Sequence, residues 1–557
     1  MGMNLTQKLS KNLVKKGNPS ELWWKGAVIY QIYPRSFNDS NNDGVGDING
    51  ITEKLDYLET LGVEAIWLSP FFKSPMKDFG YDVSDYKDVD PIFGTLEDFK
   101  IMIEKAHNCG IRIIIDQVLS HTSNEHPWFK ESRKDKTNPK SDWYVWADAK
   151  ADGTPPNNWL SIFGGSAWHW DTTRKQYYMK NFLVEQPDLN FHCEEVQDAI
   201  LDTVRFWLNL GVDGFRLDTV NFYFCDKLLR DNPPRDALAE SYADISEFNP
   251  YSMQEHVYDK TQIENIDFLK KFRKLLDEYP GSTSVGEVGA AHHSLKVISD
   301  YTKDNDKVHM CYSFDFLSEN FSTKYFENTI SKFENIVTDG WACWSLSNHD
   351  ITRHITRWLK SKDITKDFAL FCISFLISTR GTICLYQGEE LGFNESELEY
   401  KDIIDPLGLT FWPEIKGRDG CRTPFAWDET ENGGFSEVRP WLPVDSNHIK
   451  NAASKQINDL NSIFNAYKKI LEFRKNSDTL KLGTIKAKAI DENVLEITRT
   501  YEKNTIILYL NFTNNSVTLP YDESKYSLVE TISNNVKVEN NTIFLGSFAT
   551  CFMENRS

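Results

Sequence analysis

Short β-prone runs alternate with longer amphipathic runs over most of this 557-residue chain. The strand-like runs are Val28 to Tyr33, Val63 to Leu68, Ile111 to Val118, Val212 to Leu217 and Thr382 to Tyr386. The runs with apolar residues at helical spacing are Ile51 to Thr60, Leu96 to Asn108, Val196 to Leu210 and Ile263 to Glu278. This alternation predicts parallel strands joined by helices, and the chain length favours a (β/α)8 TIM barrel of the α/β class.

The alternation fails in three parts of the chain. His121 to Asn190 is rich in Asn, Pro, Gly and Trp, which predicts an irregular insertion domain on the loop after the third strand. Gly392 to Trp441 lacks a regular period and is expected on the eighth loop, and short strands after Asn476 predict an antiparallel β domain. The expected domains are barrel residues 1–121 and 193–476, with a loop insertion near 392–441, an insertion domain at 122–192 and a C-terminal β-sandwich at 477–557.

Four segments place polar residues where the predicted strands end. They are Asp116 to His121, Gly214 to Asp218, Val285 to Glu287 and Asn348 to Asp350, which follow the runs Ile111 to Ile115, Leu210 to Val212, Ser282 to Ser284 and Trp341 to Leu346. Parallel barrels carry catalytic groups at the carboxyl ends of several strands, so these segments are expected to meet in one site. A single carboxylate there could be a cap or an ion-pair partner. Several together suit cleavage of a glycosidic bond, which needs one ionised and one protonated carboxyl group.

Composition narrows the partners and the compartment. The formal net charge of −20 repels nucleic acid and anionic membranes, whereas a neutral small oligosaccharide or disaccharide is compatible with it. The nine Cys are an odd number without a Cys-x-x-Cys pair, which favours reduced thiols in the cytoplasm. Met1 to Trp24 has no apolar core typical of a signal peptide. The apolar stretch Phe368 to Thr379 is shorter than the roughly 18 residues of a membrane span and is expected to be a buried helix.

The four segments resemble, in the same order, the signatures of the α-amylase family of glycoside hydrolases. The resemblance begins at Ala27-Val-Ile-Tyr-Gln-Ile-Tyr-Pro-Arg-Ser-Phe and reaches Tyr386-Gln-Gly-Glu-Glu-Leu-Gly and Arg418-Asp-Gly-Cys-Arg-Thr-Pro, so it spans nearly the whole chain. Gln186-Pro-Asp-Leu-Asn and the segment Arg418 to Pro424 are similar to the α-glucosidase and oligo-1,6-glucosidase branch. That resemblance implies an exo-acting enzyme that releases glucose from the non-reducing ends of short α-glucosides.

The resemblance also implies a role for each carboxylate. Asp218 resembles the nucleophile, Glu287 the general acid/base, and Asp350 the third carboxylate, which grips sugar hydroxyls. The implied reaction is double displacement with retention of the α configuration. Independently of the family, Arg216 lies two residues before Asp218 on the same strand face and can hold that carboxylate ionised, although a purely structural ion pair is the alternative.

Further residues are implied to contact the sugar. His121 and His349 resemble imidazoles that hydrogen-bond the glucose unit. Asp82 and Arg422 resemble a pair that closes the far end of the glucose site, since an Arg fork can meet a carboxylate with two hydrogen bonds. Tyr81 resembles the stacking floor of that site.

Two positions bear on specificity and one on metal binding. Thr219 follows the presumed nucleophile, where relatives that prefer α-1,4 linkages tend to carry Thr and those that prefer α-1,6 linkages tend to carry Val. Thr219 therefore implies maltose-type substrates or sucrose. Phe163, in the predicted insertion, is a further candidate for substrate contact. Ser120 stands where Asn is commoner, which makes the calcium site of amylases doubtful here.

A second loop carries the pattern of a metal site. Its oxygen-bearing residues are Asp39, Asn41, Asp43 and Asp47, which resemble the first half of an EF-hand loop. Gly50 stands where an EF-hand needs a bidentate Glu, so an EF-hand is not expected. The α-glucosidase resemblance implies structural Ca²⁺ or Mg²⁺, with the Val45 carbonyl as an extra ligand, and the alternative is an Asx-rich turn. No organic cofactor is expected.

The sequence leaves other functions open. The same residues would serve a transglycosylating relative such as a sucrose isomerase or trehalose synthase. A trehalose-6-phosphate hydrolase would need a basic cluster near the acceptor sugar, and Lys and Arg are few around the second insertion. A non-catalytic transporter partner is a distant alternative, because such proteins lack the carboxylates that this chain retains. The expected oligomeric state is a monomer or a homodimer.

Overall fold

Eight parallel strands form a closed barrel in the computed structural model, which describes residues 22–236, 245–289, 293–312, 314–360 and 365–556. The strands are β1 (Val28–Ile32), β2 (Ala65–Leu68), β3 (Arg112–Gln117), β4 (Gly214–Leu217), β5 (Thr283–Glu287), β6 (Met310–Tyr312), β7 (Cys343–Ser345) and β8 (Thr382–Tyr386). Each strand pairs with its neighbours in sequence, β8 returns to β1, and a bridge from Cys311 to Ala342 joins β6 to β7. The predicted (β/α)8 barrel is confirmed.

Helices surround the barrel and connect its strands. The α-helices are Ile48–Glu53, Leu55–Leu61, Leu96–Asn108, Pro127–Ser132, Glu194–Leu210, Asn265–Leu276, Ser294–Thr302, Thr323–Ile336, His354–Leu359, Lys366–Ser378, Pro406–Phe411, Ser446–Lys450, Ala453–Ile457, Ile463–Lys475 and Asp478–Leu482. Local sequence sets their ends: Thr95 and Asp98 form a capping box at Leu96–Asn108, and Gly211 closes Glu194–Leu210 with a φ of +101°.

Two expectations about strands need correction. Leu210 to Val212 is not a strand, because Leu210 ends a helix and the motif from Gly214 itself forms β4. Strand β6 was not predicted, since its three residues are too few to show a period. The predicted helix from Ile51 to Thr60 is divided between two helices that meet at Lys54.

An insertion follows β3, as predicted, and carries a small antiparallel sheet. Its strands are Trp146–Ala147, Trp168–Asp171 and Gln176–Met179. Strands Phe72–Lys73 and Asp85–Val89 form a second small sheet after β2. The exact limits expected for the domains stay predictions.

The C-terminal strands form an antiparallel sheet of seven strands, which confirms the predicted antiparallel β domain, whereas its description as a β-sandwich stays a prediction. They are Thr484–Ala489, Val494–Tyr501, Asn504–Asn511, Val517–Pro520, Tyr526–Leu528, Asn534–Glu539 and Thr542–Asn555. Phe512 packs against Phe321, Phe326 and Phe371 of the barrel, with ring centroids 4.8, 5.1 and 4.9 Å apart. Arg499 donates to the carbonyls of Ser378 and Thr379, which end a barrel helix. The sheet therefore covers apolar barrel surface.

The helix Lys366–Ser378 contains most of the predicted apolar stretch and is buried from Phe368 to Ser378. Within the described ranges, no helix is long and apolar enough to cross a membrane. The expectation that Met1 to Trp24 carries no signal peptide concerns residues almost all outside the described ranges.

Candidate active site

A cavity of about 1490 Å³ opens at the carboxyl end of the barrel strands. Asp218 follows β4, Glu287 ends β5 and Asp350 follows β7, and all three carboxylates line this cavity. The barrel thus brings together carboxylates that are far apart in sequence, as the motif positions predict.

One guanidinium group connects the carboxylates at the cavity floor. Arg216 is buried on β4 and donates from Nη1 to Oδ1 of Asp218 over 2.6 Å and to Oδ1 of Asp116 over 2.9 Å. Its Nη2 lies 2.7 Å from Oε2 of Glu287 and donates to the Tyr312 hydroxyl over 2.8 Å. Because one positive charge faces three buried carboxyl groups, full ionisation of all three is unfavourable.

The pKa values of the two neighbouring carboxyl groups differ accordingly. Burial raises the pKa of Asp218 to about 6, against the opposing charge of Arg216 and with a contribution from Asp116. Burial raises the pKa of Glu287 further, to about 8, with Arg216 again opposing and Asp218 adding to the rise. Near neutral pH, Asp218 is therefore the ionised member of the pair and Glu287 the protonated one.

Asp350 lies in a more positive environment. Its Oδ1 accepts hydrogen bonds from Arg422 at 2.8 Å and Arg418 at 3.2 Å. Burial would raise the pKa of Asp350, but the positive charges of Arg418 and Arg422 outweigh it and hold the pKa below its ordinary value. Because burial lowers the pKa of His349 and keeps it neutral, the two arginines are the charges that stabilise the Asp350 carboxylate.

Aromatic and imidazole rings form one side of the site. The Tyr81 ring is nearly parallel to that of His349, at 8° with centroids 5.5 Å apart, and its hydroxyl contacts Nε2 of His349. Gln31 lies 2.7 Å from Nδ1 of the same imidazole. His121 is 3.0 Å from the Tyr81 carbonyl, and burial lowers its pKa to about 4. Both imidazoles are therefore neutral near pH 7.

The predicted pairing of Asp82 with Arg422 is not what the structure shows. The Asp82 carboxylate is fully buried and accepts hydrogen bonds from Ser74 Oγ and from the backbone N–H groups of residues 77 and 78, so it holds its own loop. Asp78, not Asp82, forms an ion pair that faces the cavity, and its partner is Arg418, with Oδ1 and Nη2 2.9 Å apart. Arg422 instead contacts Asp350 and the carbonyl of His349.

Two further predicted residues line the cavity. Phe163 comes from the insertion and packs beneath the Arg418 guanidinium, 5.3 Å from its ring centroid. Thr219 donates from its backbone N–H to Oε2 of Glu287 over 3.0 Å and from its hydroxyl to Oδ2 of Asp218 over 3.2 Å. Thr219 therefore contacts two carboxyl groups.

Several site residues received no role in the sequence reasoning. Asp78, Asp116 and Arg418 lie inside or beside the recognised motifs, so a search for charged partners around each motif could have found them. Tyr312 lies on the unpredicted strand β6, and Gln31 lies on β1 without a charge to mark it. Their parts in the site follow from tertiary contact alone.

The predicted metal loop presents hard oxygen donors. Asp39 accepts hydrogen bonds from the backbone N–H groups of Asn42 and Gly44, Asn41 from that of Asp43, and Asp43 from that of Val45. Asp47 caps the helix that follows. Asn41 and Asp43 each accept one of these bonds and keep further lone pairs, and oxygen donors of this kind suit a hard cation such as Ca²⁺. Within the described ranges, one group of three acid and thiol side chains has its ligand atoms within 4.8 Å of one another. The group consists of Asp56, Glu59 and Cys109 and lies outside this loop.

Comparisons with a family model, with related sequences and with a solved structure all indicate the same family. The model of the α-amylase catalytic domain matches residues 31–483. A probable alpha-glucosidase of Rhizobium meliloti (strain 1021) is 52% identical over 501 residues, which cover 90% of this chain and 91% of that protein. An oligo-1,6-glucosidase of Parageobacillus thermoglucosidasius is 37% identical over 523 residues, covering 88% and 90%. The crystal structure of the alpha-glucosyl transfer enzyme XgtA matches with a TM-score of 0.93 at 49% identity, covering 96% of this chain and 99% of XgtA.

Proposed function

Because this chain belongs to the α-amylase family and is a glycoside hydrolase, we propose that it is an exo-acting retaining α-glucosidase for short α-glucosides. The observation that carries the proposal is the shared contact of Asp218 and Glu287 with Arg216. It sets side by side one carboxyl group that is ionised near neutral pH and one that is protonated, as glycosidic cleavage requires.

The proposed reaction has two steps. The Asp218 carboxylate attacks the anomeric carbon while Glu287 gives its proton to the leaving oxygen, so the glycosidic bond breaks and a glucosyl ester forms. Glu287 then takes a proton from water, whose oxygen attacks the same carbon and releases α-glucose and free Asp218. The low pKa of Asp350 keeps it anionic throughout, suited to accepting hydrogen bonds from sugar hydroxyls.

Exo action is supported by the wall of the cavity. The ion pair of Asp78 with Arg418 stands beside Asp350, where charged groups can bind the outer hydroxyls of a terminal glucose. Tyr81 and Phe163 offer ring surface next to it. The Thr219 hydroxyl supports a preference for α-1,4 linkages or sucrose, as its resemblance to maltose-type relatives implies.

A bound structural Ca²⁺ or Mg²⁺ is a further part of the proposal. Asp39, Asn41, Asp43, Asp47 and the Val45 carbonyl would hold the ion. The ion would neutralise the clustered acids and stabilise the loop after β1, and it would take no part in bond cleavage. We also propose that the protein acts in the cytoplasm, as its nine free Cys support, as a monomer or homodimer.

Glucosyl transfer is the second candidate. The similarity to XgtA, 49% identical with a TM-score of 0.93, supports it. In that case an acceptor sugar or alcohol replaces water in the second step, and the first step is unchanged. The same carboxylates would serve both reactions.

Time-resolved product analysis of the wild type and Asp218→Asn with maltose, isomaltose, sucrose and trehalose tests the proposal. Early release of α-glucose from maltose or sucrose by the wild type, with none from the variant, is the expected result. Accumulation of a new disaccharide would favour transfer or isomerisation. A wild type that turns over none of these sugars, or that first releases β-glucose, would overturn the proposal.

A further inference from the structure

Thr219 has a backbone conformation that is uncommon for a β-branched residue. Its φ is +39°, where crowding around a branched Cβ is unfavourable. In this conformation its N–H faces Glu287 and its hydroxyl faces Oδ2 of Asp218, over 3.0 and 3.2 Å. A strained residue thus lies between the two reacting carboxyl groups, and its hydroxyl has a single proton to donate.

Ser120 lies behind Thr219 on the loop that follows β3 and is fully buried. Its Oγ is 3.2 Å from Oγ1 of Thr219 and 2.9 Å from Nδ1 of His121. The row His121, Ser120, Thr219, Asp218 therefore consists of consecutive hydrogen-bond contacts. Since each hydroxyl has one proton, a hydroxyl that donates to one neighbour in the row can only accept from the other.

The His121 imidazole, at one end of this row, can bind its neighbours as either of its two neutral tautomers. Its Nε2 is 3.0 Å from the Tyr81 carbonyl, which only accepts, and 3.1 Å from the amide nitrogen of Gln186, which donates. A proton on Nε2 satisfies Tyr81 and leaves Nδ1 to accept from Ser120. A proton on Nδ1 lets Gln186 donate to Nε2 and makes Ser120 the acceptor.

The two arrangements differ at the nucleophile. In the first, Ser120 donates to His121, so its oxygen is open to accept and competes with Asp218 for the single proton of the Thr219 hydroxyl. In the second, Ser120 donates to Thr219, and Thr219 donates to the Asp218 carboxylate. The second arrangement is favoured while Asp218 is ionised, because a hydrogen bond to an anion is stronger than one to a neutral hydroxyl.

We propose that Ser120 is a positioning residue for Asp218, which keeps the Thr219 hydroxyl directed as a donor to Oδ2. Ser is also the residue by which this segment departs from the commoner Asn of the family. The inference rests on the proposed function, because it needs Asp218 as nucleophile. Once Asp218 is esterified it is no longer an anion, and the row is free to reverse without any group leaving its place.

A double-mutant cycle tests the coupling. Ser120→Ala removes the middle hydroxyl, and Thr219→Val removes the donor at nearly constant shape. Thr219→Val is expected to lower kcat/KM for maltose about tenfold, as for loss of one hydrogen bond to a charged group. Ser120→Ala is expected to lower it about twofold, because Thr219 keeps its own proton to donate and loses only the hydrogen bond from Ser120 that polarises its hydroxyl. The double variant is expected to be no worse than Thr219→Val. Losses that multiply would mean that Ser120 does not act through Thr219 and would overturn the inference.

The pH profile gives a readout that a merely structural role would not move. A donor to a carboxylate lowers its pKa, so Thr219→Val, which removes the donor, shifts the acid limb of kcat/KM to higher pH. Ser120→Ala weakens the same donor without removing it and shifts the acid limb in the same direction by less. The other charged groups around Asp218, namely Arg216, Asp116, Glu287 and Asp350, are unchanged. Ser123→Ala is the matched control, because Ser123 is buried on the same loop and its hydroxyl accepts from the Glu125 N–H, away from Asp218. Its acid limb should stay in place.

Thr219→Ser keeps the inference testable if Ser120→Ala does not fold. Thr219→Ser retains the hydroxyl and should keep the wild-type acid limb, whereas Thr219→Val should shift it. An unshifted limb in Thr219→Val would overturn the inference. Wild-type protein without activity on any α-glucoside would instead overturn the proposed function, so the two failures are distinguishable.

Discussion

Nη2 of Arg418 lies 2.9 Å from Oδ1 of Asp78, which joins the insertion after β8 to the loop after β2. The same guanidinium contacts Asp350 at 3.2 Å and Asp405 at 2.7 Å. One arginine therefore fixes the wall of the cavity and the third carboxylate together, and a change in it should alter how the terminal glucose is held.

The wall can be tested by substitution. Asp78→Asn and Arg418→Ala are each expected to raise KM for maltose about 10- to 100-fold, the cost of losing a hydrogen bond to a charged group. Steady-state kinetics gives the values. Asp82→Asn should change KM little and lower the free energy of unfolding, since Asp82 holds only its own loop. An equal rise in KM for Asp82→Asn would contradict this division of roles.

The activity should have a bell-shaped pH dependence. Asp218 must be ionised to attack, so kcat/KM should fall as pH drops below about 6. Glu287 must be protonated to donate, so kcat/KM should fall as pH rises above about 8. Because kcat/KM reports the free enzyme, both limbs belong to the carboxyl pair at Arg216. An acid limb that remains near pH 6 when Glu287→Gln has removed the alkaline limb would support this assignment.

Arg216→Lys tests what sets the pH values of the acid and alkaline limbs of the kcat/KM profile. Arg216 lowers the pKa of both Asp218 and Glu287. Lys has a single ammonium nitrogen and cannot bind the two carboxyl groups through two separate nitrogen atoms, as the Arg guanidinium does. Both limbs should move to higher pH in the variant, and kcat/KM at the new optimum should fall about 10- to 100-fold. Limbs that stay in place would show that burial alone sets the two pKa values.

Phosphorylated sugars should be poor substrates. Among the residues that the structure describes, the exposed charged side chains that line the cavity are Glu247, Glu319, Glu397, Glu414, Lys360 and Lys416. Carboxylates exceed amines there, and Lys360 already pairs with Glu319. A pair of like unit charges about 8 Å apart in water costs about 0.5 kcal/mol, so a phosphate dianion beside one uncompensated carboxylate loses about 1 kcal/mol, which is about fivefold in kcat/KM. Comparing trehalose with trehalose 6-phosphate at low and high salt measures this. The deficit should shrink as salt rises, and a preference for the phosphate would contradict the prediction.

Divalent cations should stabilise the protein without driving the chemistry. At a free Ca²⁺ concentration 100 times Kd, the free energy of unfolding should rise by about 2.7 kcal/mol. Thermal unfolding after chelation and Ca²⁺ addition gives the shift. Asp43→Ala should abolish the response, because exposed Asp43 contributes a donor and holds only the Val45 N–H. A chelated wild type whose Tm ignores added Ca²⁺ would count against the site.

The sequence predicts the barrel and the meeting of its carboxylates because strand ends in a parallel barrel share one face. It predicts less well where a motif offers two acids. Asp78 and Asp82 lie four residues apart, and only the backbone bonds within the loop decide which one faces Arg418. Strand β6 has three residues and no recognisable pattern, so Tyr312 and its contact with Arg216 follow from tertiary structure alone.

The contacts of Arg499 and Phe512 with the barrel limit how far the chain can be shortened from its C-terminal side. The match to the α-amylase catalytic domain ends at residue 483, before the sheet that carries both residues. A fragment that stops there would leave Phe321, Phe326 and Phe371 facing water and the carbonyls of Ser378 and Thr379 without their donor. The segment that matches the catalytic domain therefore has part of its apolar surface and of its backbone hydrogen bonding completed by residues that lie beyond its end.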